Sequence, residues 1–425
     1  MNETPKGNRT HIALVGRTNV GKSSLLNLIS GQDVAITSNV PGTTTDVVEK
    51  TMELLPLGPV VFLDTAGLDD KTDLAELRRK KTSQALKRAD AVILVAEAGV
   101  WTEYEERIVQ ETEMAMIPLV IAVNKIDLGS PDPNYLAIIG EKTPRLLSVA
   151  ATNDKGREAC LRELKRHLAA SMSGEAADSP SLLGDLLPPG GLAVLVTPID
   201  LQAPKGRLIL PQVQTIRAAL DIDAAALIIK ERELSHLLGQ LKESPRLVVC
   251  DSQAVLKVTA GVPREIPCTT FSILFARQKG DLNVAAAGAA AINSLRPGDQ
   301  VLIAEACSHH PLADDIGRVK IPRWLRQYVG GEIQTEITAG KDYPRDLRPY
   351  RLIVHCGACM FTRREMLRRL KEAREQQVPI TNYGLAISVT QGVIERTLQP
   401  FPAALAAYER ELAAPASNIN GMRAQ

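Results

Sequence analysis

Residues 12–23 have the sequence IALVGRTNVGKS, an apolar run that leads into a glycine-bounded loop ending in Lys-Ser. A buried strand, this loop and a helix from Ser24 make up a P-loop, in which Gly16 and Gly21 let backbone N–H groups wrap phosphates. Lys22 reaches the β- and γ-phosphates, and the Ser23 hydroxyl binds Mg²⁺. The motif therefore predicts a nucleotide-binding α/β domain with a mostly parallel sheet.

Two further motifs contain candidate Mg²⁺ and γ-phosphate contacts. Residues 41–46, PGTTTD, resemble the switch I loop of translation-factor-like GTPases, in which a threonine closes over Mg²⁺; we expect Thr44, with Thr43 as the alternative. In the DTAG sequence at 64–67, Asp64 is expected to hold the Mg²⁺ shell through water and Gly67 to contact the γ-phosphate.

The sequence NKID, from Asn124 to Asp127, follows an apolar run and matches the guanine-specificity motif. Asp127 accepts from guanine N1–H and the 2-amino group, a donor pair that adenine lacks, so the nucleotide is expected to be GTP. Ala150 and Ala151 stand where such families usually have Ser-Ala. The usual contact is a backbone N–H to guanine O6, so the change weakens it without abolishing it.

Hydrolysis is expected to be slow, because Leu68 follows DTAG where Ras-like enzymes have a water-orienting glutamine. In the tRNA-modifying and ribosome-assembly GTPases that this domain resembles, an asparagine at the position of Asn19 helps to bind K⁺; the alternative is that Asn19 only shapes the loop. The residues expected to act in hydrolysis are Lys22, Asn19 and Thr44. Those expected to bind GTP and Mg²⁺ are Gly16, Asn19, Val20, Gly21, Lys22, Ser23, Ser24, Thr43, Thr44, Asp64, Gly67, Asn124, Lys125, Asp127, Ala150 and Ala151.

Cysteines and histidines follow two apolar runs in the last third of the chain. CSHH at 307–310 follows residues 301–304, and HCGAC at 355–359 follows residues 352–354. If both runs are buried strands, the sulfurs emerge at adjacent strand ends. The spacing between Thr362 and Glu365 predicts a helix start whose partial charge favours thiolates. Such a set fits tetrahedral zinc or an iron–sulfur cluster, and spacing alone does not choose; a reduced buried pair is the alternative without metal.

Length and composition predict about three domains in 425 residues. The expected parts are a GTP-binding domain (1–170), a linker (171–190), a small α/β dimerisation domain (191–268), a metal-binding α/β domain (269–412) and a disordered tail (413–425). Apolar runs at 192–196, 225–229 and 247–250 predict strands in the middle domain. Six cysteines are few for this length, and no apolar run could span a bilayer, so we expect a cytoplasmic protein without a membrane segment.

The whole chain resembles the HydF family, the GTPases of [FeFe]-hydrogenase maturation. The resemblance is carried by TPKGNR at 4–9, the GTPase motifs, and CSHH paired with HCGAC. It implies a homodimer that holds a [4Fe-4S] cluster on Cys307, Cys356 and Cys359. It also implies a scaffold that accepts a di-iron precursor built with two radical-SAM maturases and delivers it to the apo-hydrogenase.

The fourth cluster position is expected to be exchangeable, so that a precursor ligand can enter while three thiolates hold the cluster. His309 and His355 both lie close enough in sequence to reach it. The competing hypothesis is a ribosome- or RNA-associated GTPase with structural zinc. A net charge of +1 and 3% aromatic residues are poorly suited to nucleic-acid binding, so none is expected.

Overall fold

The computed structural model describes residues 9–31, 48–55, 57–64, 75–153, 156–177, 180–198, 208–306, 315–340 and 342–414. The chain divides into two compact units, residues 1–179 and 180–425. None of the described helices is long and apolar enough to cross a membrane.

The first unit contains a six-stranded sheet with the order β2-β3-β1-β4-β5-β6. Its elements are β1 (Thr10–Val15), α1 (Lys22–Ser30), β2 (Val48–Glu53), β3 (Pro59–Asp64), α2 (Ala75–Arg88), β4 (Ala91–Glu97), α3 (Glu103–Met114), β5 (Leu119–Asn124), α4 (Pro133–Lys142), β6 (Leu146–Ser148) and α5 (Arg157–Ala177). Only β2 runs antiparallel to its neighbour; the other pairs are parallel. Helix α5 extends seven residues into the segment expected to be a linker.

Strand β1 shows why this sheet is covered on both faces. Ile12 and Leu14 pack into one apolar cluster, whereas Ala13 and Val15 pack into another. Successive side chains of a strand point to opposite faces, so a run that is apolar at every position needs a layer on each side. The predicted α/β class with a mostly parallel sheet is confirmed.

The second unit contains two parallel four-stranded sheets, ordered β10-β9-β7-β8 and β12-β11-β13-β14. Its strands are β7 (Leu192–Val196), β8 (Ala225–Ile229), β9 (Leu247–Cys250), β10 (Cys268–Thr270), β11 (Gln300–Glu305), β12 (Gln334–Ala339), β13 (Leu352–His355) and β14 (Ile380–Asn382). Its helices are α6 (Leu210–Asp221), α7 (Leu234–Gln240), α8 (Val255–Gly261), α9 (Phe271–Lys279), α10 (Leu282–Ala290), α11 (Ile321–Val329), α12 (Arg363–Glu375), α13 (Tyr383–Thr390), α14 (Ile394–Leu398) and α15 (Pro402–Ala413).

One hydrophobic core joins the two sheets of this unit. Val194 and Val248 from the first sheet belong to the same buried cluster as Val301 and Val354 from the second. Phe275 on α9 is fully buried within it. The two sheets therefore contribute to one apolar core.

Candidate functional site

The P-loop connects β1 to α1 and requires glycine at two positions. Gly16 and Gly21 have φ angles of 156° and 92°. A Cβ added at Gly16 would lie 2.4 Å from the Val95 carbonyl oxygen, and one at Gly21 would lie 2.1 Å from the Asn124 Nδ2. Both positions thus lack room for a side chain, which explains the glycines at each end of the loop.

Lys22 begins α1, and its ammonium group lies inside the loop. It is 7% exposed, and its Nζ donates to the carbonyls of Gly16 (2.9 Å) and Arg17 (2.7 Å). The N–H groups of Ser23 and Ser24 belong to the first turn of α1, where they have no partner within the helix. The ammonium and these N–H groups form an arrangement suited to phosphate oxygens.

Asn124, at the end of β5, connects the P-loop to the predicted guanine-binding loop. It is 2% exposed; its Nδ2 donates to the Val20 carbonyl (2.8 Å), and its Oδ1 accepts from the Ala151 N–H (3.0 Å). Asp127 lies on the surface, with its carboxylate 3.4 Å from the Thr152 hydroxyl. The three segments that the sequence predicted to bind nucleotide are therefore neighbours.

The structure describes some of the other residues predicted to contact the nucleotide and leaves others outside its described ranges. Asp64 is 4% exposed at the end of β3. Lys125 has a φ of 65°, and its Nζ lies 3.1 Å from Glu97 Oε2. Thr43, Thr44 and Gly67 lie outside the described residues, as does Leu68.

Sequence reasoning missed the support that α3 gives to the P-loop. Glu105 is fully buried, accepts from Arg17 Nε (2.6 Å) and completes a capping box with Thr102. The Tyr104 side chain hydrogen bonds to the Gly16 backbone, and burial raises the pKa of its phenol. The Thr102–Glu105 spacing signalled a helix start. Nothing in the sequence linked that helix to Arg17.

The candidate metal centre lies where β11 and β13 end. These strands are parallel neighbours with Ala304 opposite His355, which confirms the predicted adjacent strand ends. The Cys356 N–H donates to the Ala304 carbonyl (2.9 Å), and the Ala306 N–H donates to the Cys356 sulfur (3.1 Å). Ala306 is the residue before Cys307. Cys307 and His309 themselves lie outside the described residues.

Cys359 follows a turn in which Ala358 has a φ of 53°. Helix α12 begins four residues later, and the Thr362 hydroxyl accepts from the Glu365 N–H (3.4 Å), as its spacing predicted. Burial nevertheless raises the pKa of the Cys359 thiol, against the opposing effects of Lys279 and nearby backbone N–H groups. Desolvation of this thiol therefore opposes the stabilisation of a thiolate that the helix start is expected to give.

His355 is fully buried, and both of its ring nitrogens have partners. Nδ1 lies 2.9 Å from the Cys356 carbonyl oxygen, and Nε2 lies 3.0 Å from Arg369 Nη1. Burial, aided by the charge of Arg369, lowers the pKa of His355 to about 3, so the ring is neutral. Ligation by His355 would require it to lose one of these contacts.

The donor set fits a thiolate-bound metal group. Neither Cys356 nor Cys359 forms a disulfide, and both are half-buried. Within the described part of the chain, no group of three His, Cys, Asp or Glu side chains could hold a metal ion. These two cysteines therefore need further ligands, and Cys307 is the expected third thiolate. Soft thiolates supported by N–H···S bonds suit iron–sulfur clusters and zinc.

Comparison with known protein families identifies the second unit. The hydrogen maturase F dimerization domain matches residues 182–280, and the hydrogen maturase F tetramerization domain matches residues 283–400. Together they cover about half of the chain. The chain belongs to the HydF family. A third family, described as 50S ribosome-binding GTPase, matches residues 11–125 and establishes a P-loop GTPase domain in this HydF chain.

Curated relatives of this HydF chain match its GTPase region. It is 40% identical over 144 residues to the tRNA modification GTPase MnmE of Synechocystis sp. strain PCC 6803, a match that covers 33% of the chain and 30% of MnmE. It is 46% identical over 124 residues to MnmE of Synechococcus sp. strain JA-3-3Ab, covering 28% and 26%. The matched segments thus span about a third or less of these relatives.

Solved structures of GTPases align with part of the chain. Aquifex aeolicus Era bound to GDP·AlF4⁻ aligns with a TM-score of 0.31 and 18% identity, covering 55% of the HydF chain and 98% of Era. The G domain of Thermotoga maritima FeoB aligns with a TM-score of 0.29 and 21% identity, covering 39% and 99%. These likenesses carry no argument about function.

Proposed function

We propose that this HydF chain is a GTPase of [FeFe]-hydrogenase maturation whose second unit holds a [4Fe-4S] cluster on Cys307, Cys356 and Cys359. On this proposal it receives a di-iron precursor and delivers it to the apo-hydrogenase. The observation that supports it most directly is the Ala306 N–H···Sγ bond to Cys356. In that bond Ala306, the residue before the predicted ligand Cys307, contacts the predicted ligand Cys356. Both residues lie in the region matched by the hydrogen maturase F tetramerization domain.

The nucleotide site supports GTP hydrolysis with residues in distinct roles. Lys22 and the first N–H groups of α1 bind the phosphates, Asp127 holds the base, and Asn124 links the base-binding loop to the P-loop through Ala151 and Val20. Ser23, Thr44 and Asp64, the last through water, are the proposed Mg²⁺ partners. The ion supplies charge neutralisation at the β- and γ-phosphates. Intrinsic hydrolysis is slow because Leu68 stands where Ras-like enzymes have the glutamine that orients the attacking water.

We further propose that the Asn19 side chain binds K⁺ and so accelerates hydrolysis. Asn19 is exposed at the loop and has a φ of 61°, a conformation that asparagine tolerates better than most residues. This angle also fits a purely structural role. The Asn19→Gly variant separates the two, because glycine keeps the backbone shape and removes the amide.

GTP turnover by the parent protein should be several-fold faster in K⁺ than in Na⁺, as measured by phosphate release at equal ionic strength. Asn19→Gly should lose that difference while still binding GTP. If turnover of the parent is equal in both salts, Asn19 is structural. If Asn19→Gly still responds to K⁺, another residue binds the ion.

The metal content decides between the proposal and the zinc alternative. Anaerobically purified protein should be brown, contain iron and sulfide in equal amounts, and give an EPR signal after reduction. Cys307→Ser, Cys356→Ser and Cys359→Ser should each lose most of the iron. Cys160→Ser, at a buried position in the first unit, is the control that should retain it. Colourless protein with zinc and no sulfide would favour the RNA-associated GTPase instead.

The proposed partners are the apo-hydrogenase, two radical-SAM maturases and a second copy of the chain. The two matched domains, named for dimerization and tetramerization, support self-association. Transfer is tested by incubating precursor-loaded protein with apo-hydrogenase and measuring hydrogen evolution. The control is parent protein prepared without the two maturases, which carries no di-iron precursor. Hydrogen evolution from that sample would contradict the carrier role.

A further inference from the structure

A buried arginine contacts His355 at the candidate metal centre. Arg369 on α12 is 2% exposed, and its guanidinium lies 4.3 Å from the ring centre of Tyr343 and 4.4 Å from that of Phe361. Nη2 donates to the Gly340 carbonyl (2.7 Å), Nε to Glu365 Oε1 (3.2 Å), and Nη1 to His355 Nε2 (3.0 Å). Five contacts thus hold the side chain in one geometry.

The chemistry of arginine fixes the tautomer of His355. A guanidinium has only donors, so His355 Nε2 accepts and must be unprotonated. The proton of the neutral ring is then on Nδ1, which donates to the Cys356 carbonyl oxygen at 2.9 Å. A directed chain of hydrogen bonds runs from Arg369 through His355 to the backbone of a predicted cluster ligand.

Strand β13 explains why His355 faces the helix. Leu352 and Val354 pack into the large core of the second unit, whereas Ile353 packs with Met366 and Leu370 of α12. Side chains alternate along a strand, so His355 lies on the same face as Ile353. Its contacts with Arg369 and Phe361 agree with this direction.

We propose that Arg369 is a positioning residue of the metal centre: acting through His355, it fixes the Cys356 backbone, and His355 is not a cluster ligand. The inference rests on the proposed cluster function. It leaves His309 as the histidine available to the exchangeable position. Supporting partners of this kind set the orientation of ligands in metal sites.

Two substitutions of His355 separate the positioning role from ligation. Asparagine places its amide N–H near the position of Nδ1 and keeps the bond to the Cys356 carbonyl. Glutamine places its amide near Nε2, so it keeps a partner for Arg369 and loses that bond. Both remove the imidazole, so a ligand role predicts that both alter the cluster equally.

The anaerobic EPR spectrum and iron content are measured for the parent, His355→Asn, His355→Gln and Arg369→Met. We expect His355→Asn to keep the parent signal, and His355→Gln and Arg369→Met to shift it while retaining most of the iron. Arg369→Met should add no shift in the His355→Asn background, because Arg369 acts through the imidazole. Arg368→Met is the matched control: Arg368 pairs with Glu365 and Glu372, and its signal should match the parent.

The metal-free protein offers an independent readout that also checks folding. With ¹⁵N-labelled histidine, one ring assigned by its loss in His355→Asn should show the Nδ1-protonated tautomer, and Arg369→Met should shift its nitrogen signals. Equal EPR shifts in His355→Asn and His355→Gln, or a parent signal in folded Arg369→Met, would overturn the positioning role. A parent without iron and sulfide would overturn the proposed function and the inference with it.

Discussion

Asp127 lies on the surface three residues beyond the buried Asn124, where the NKID motif predicts a contact with guanine. In Asp127→Asn, the amide N–H₂ faces a donor of guanine and matches the 2-carbonyl of xanthine. Preference should therefore move from GTP toward xanthosine triphosphate by about 3 kcal/mol, roughly a hundredfold. A competition assay with both nucleotides measures the change. The control is Asp132→Asn, at the N-cap of α4, which should leave the nucleotide preference unaltered. An unchanged preference in Asp127→Asn would refute the assignment of Asp127 as the guanine contact.

Ala358 is a strained residue between the two described cysteines. Its φ of 53° costs about 1 kcal/mol in alanine, yet its methyl group is buried against Met366 and Leu370. Ala358→Gly relieves the strain and loses a methyl contact worth about 0.8 kcal/mol, so stability should change by less than about 1 kcal/mol. Ala358→Val should lose iron and stability, because a β-branched residue is poorly tolerated at positive φ.

Thermal unfolding and iron analysis of the two Ala358 variants check this prediction. Ala373→Gly is the control, since Ala373 is buried within α12 at helical φ and should lose about 1–2 kcal/mol. A loss of the same size in Ala358→Gly would show that the methyl contact outweighs the strain.

At the scale of elements, apolar runs predicted the strands well. The runs at 192–196, 225–229 and 247–250 have the bounds of β7, β8 and β9, because all three strands are apolar along their whole length. Strands β7 and β9 are buried as such runs predict, whereas no residue of β8 is fully buried. The contacts of His355 and Arg369 could not be predicted. They join positions 14 residues apart through packing of α12 on β13, and no local pattern encodes such a pair.

Strand β8 is an edge of its sheet among the described strands, and it lies within the matched dimerization domain. It exposes Ile228 at 42%, and an apolar exposed edge is a template for pairing with another strand. We expect a second copy of the chain to pair there. Ile228→Lys should weaken self-association by roughly tenfold or more, as measured by light scattering over a dilution series.

The control for the β8 edge is Leu256→Lys. Leu256 is 50% exposed on α8 in the same domain and away from the sheet edge, so the substitution should leave the measured mass unchanged. Equal weakening by both variants would indicate a general loss of stability. An unchanged mass in Ile228→Lys would place the interface on another surface.

At the scale of the whole molecule, sequence motifs predicted the GTPase domain and a candidate metal centre, and they did not predict the core that joins the two sheets of the second unit. A short motif such as HCGAC indicates which residues could bind a metal. It does not indicate which distant residues pack around them. The shared core includes Val194, Phe275 and Val354, which are far apart in the sequence. Each is an ordinary buried residue in its own segment, and their common cluster appears only in the folded chain.

The two units should be chemically separable, because the P-loop lies in residues 1–179 and the candidate cluster ligands lie in residues 180–425. The Lys22 ammonium is bonded to the Gly16 and Arg17 carbonyls, so its role is confined to the phosphate-binding loop.

Lys22→Ala should lower GTP hydrolysis by roughly 10²–10³-fold. Iron and sulfide content and the EPR signal should remain those of the parent, because Lys22 is not among the predicted cluster ligands. Lys87→Ala, a basic position in the last turn of α2, should preserve both properties. Purification of Lys22→Ala without iron, beside a Lys87→Ala control that retains it, would show that nucleotide binding is needed for cluster assembly.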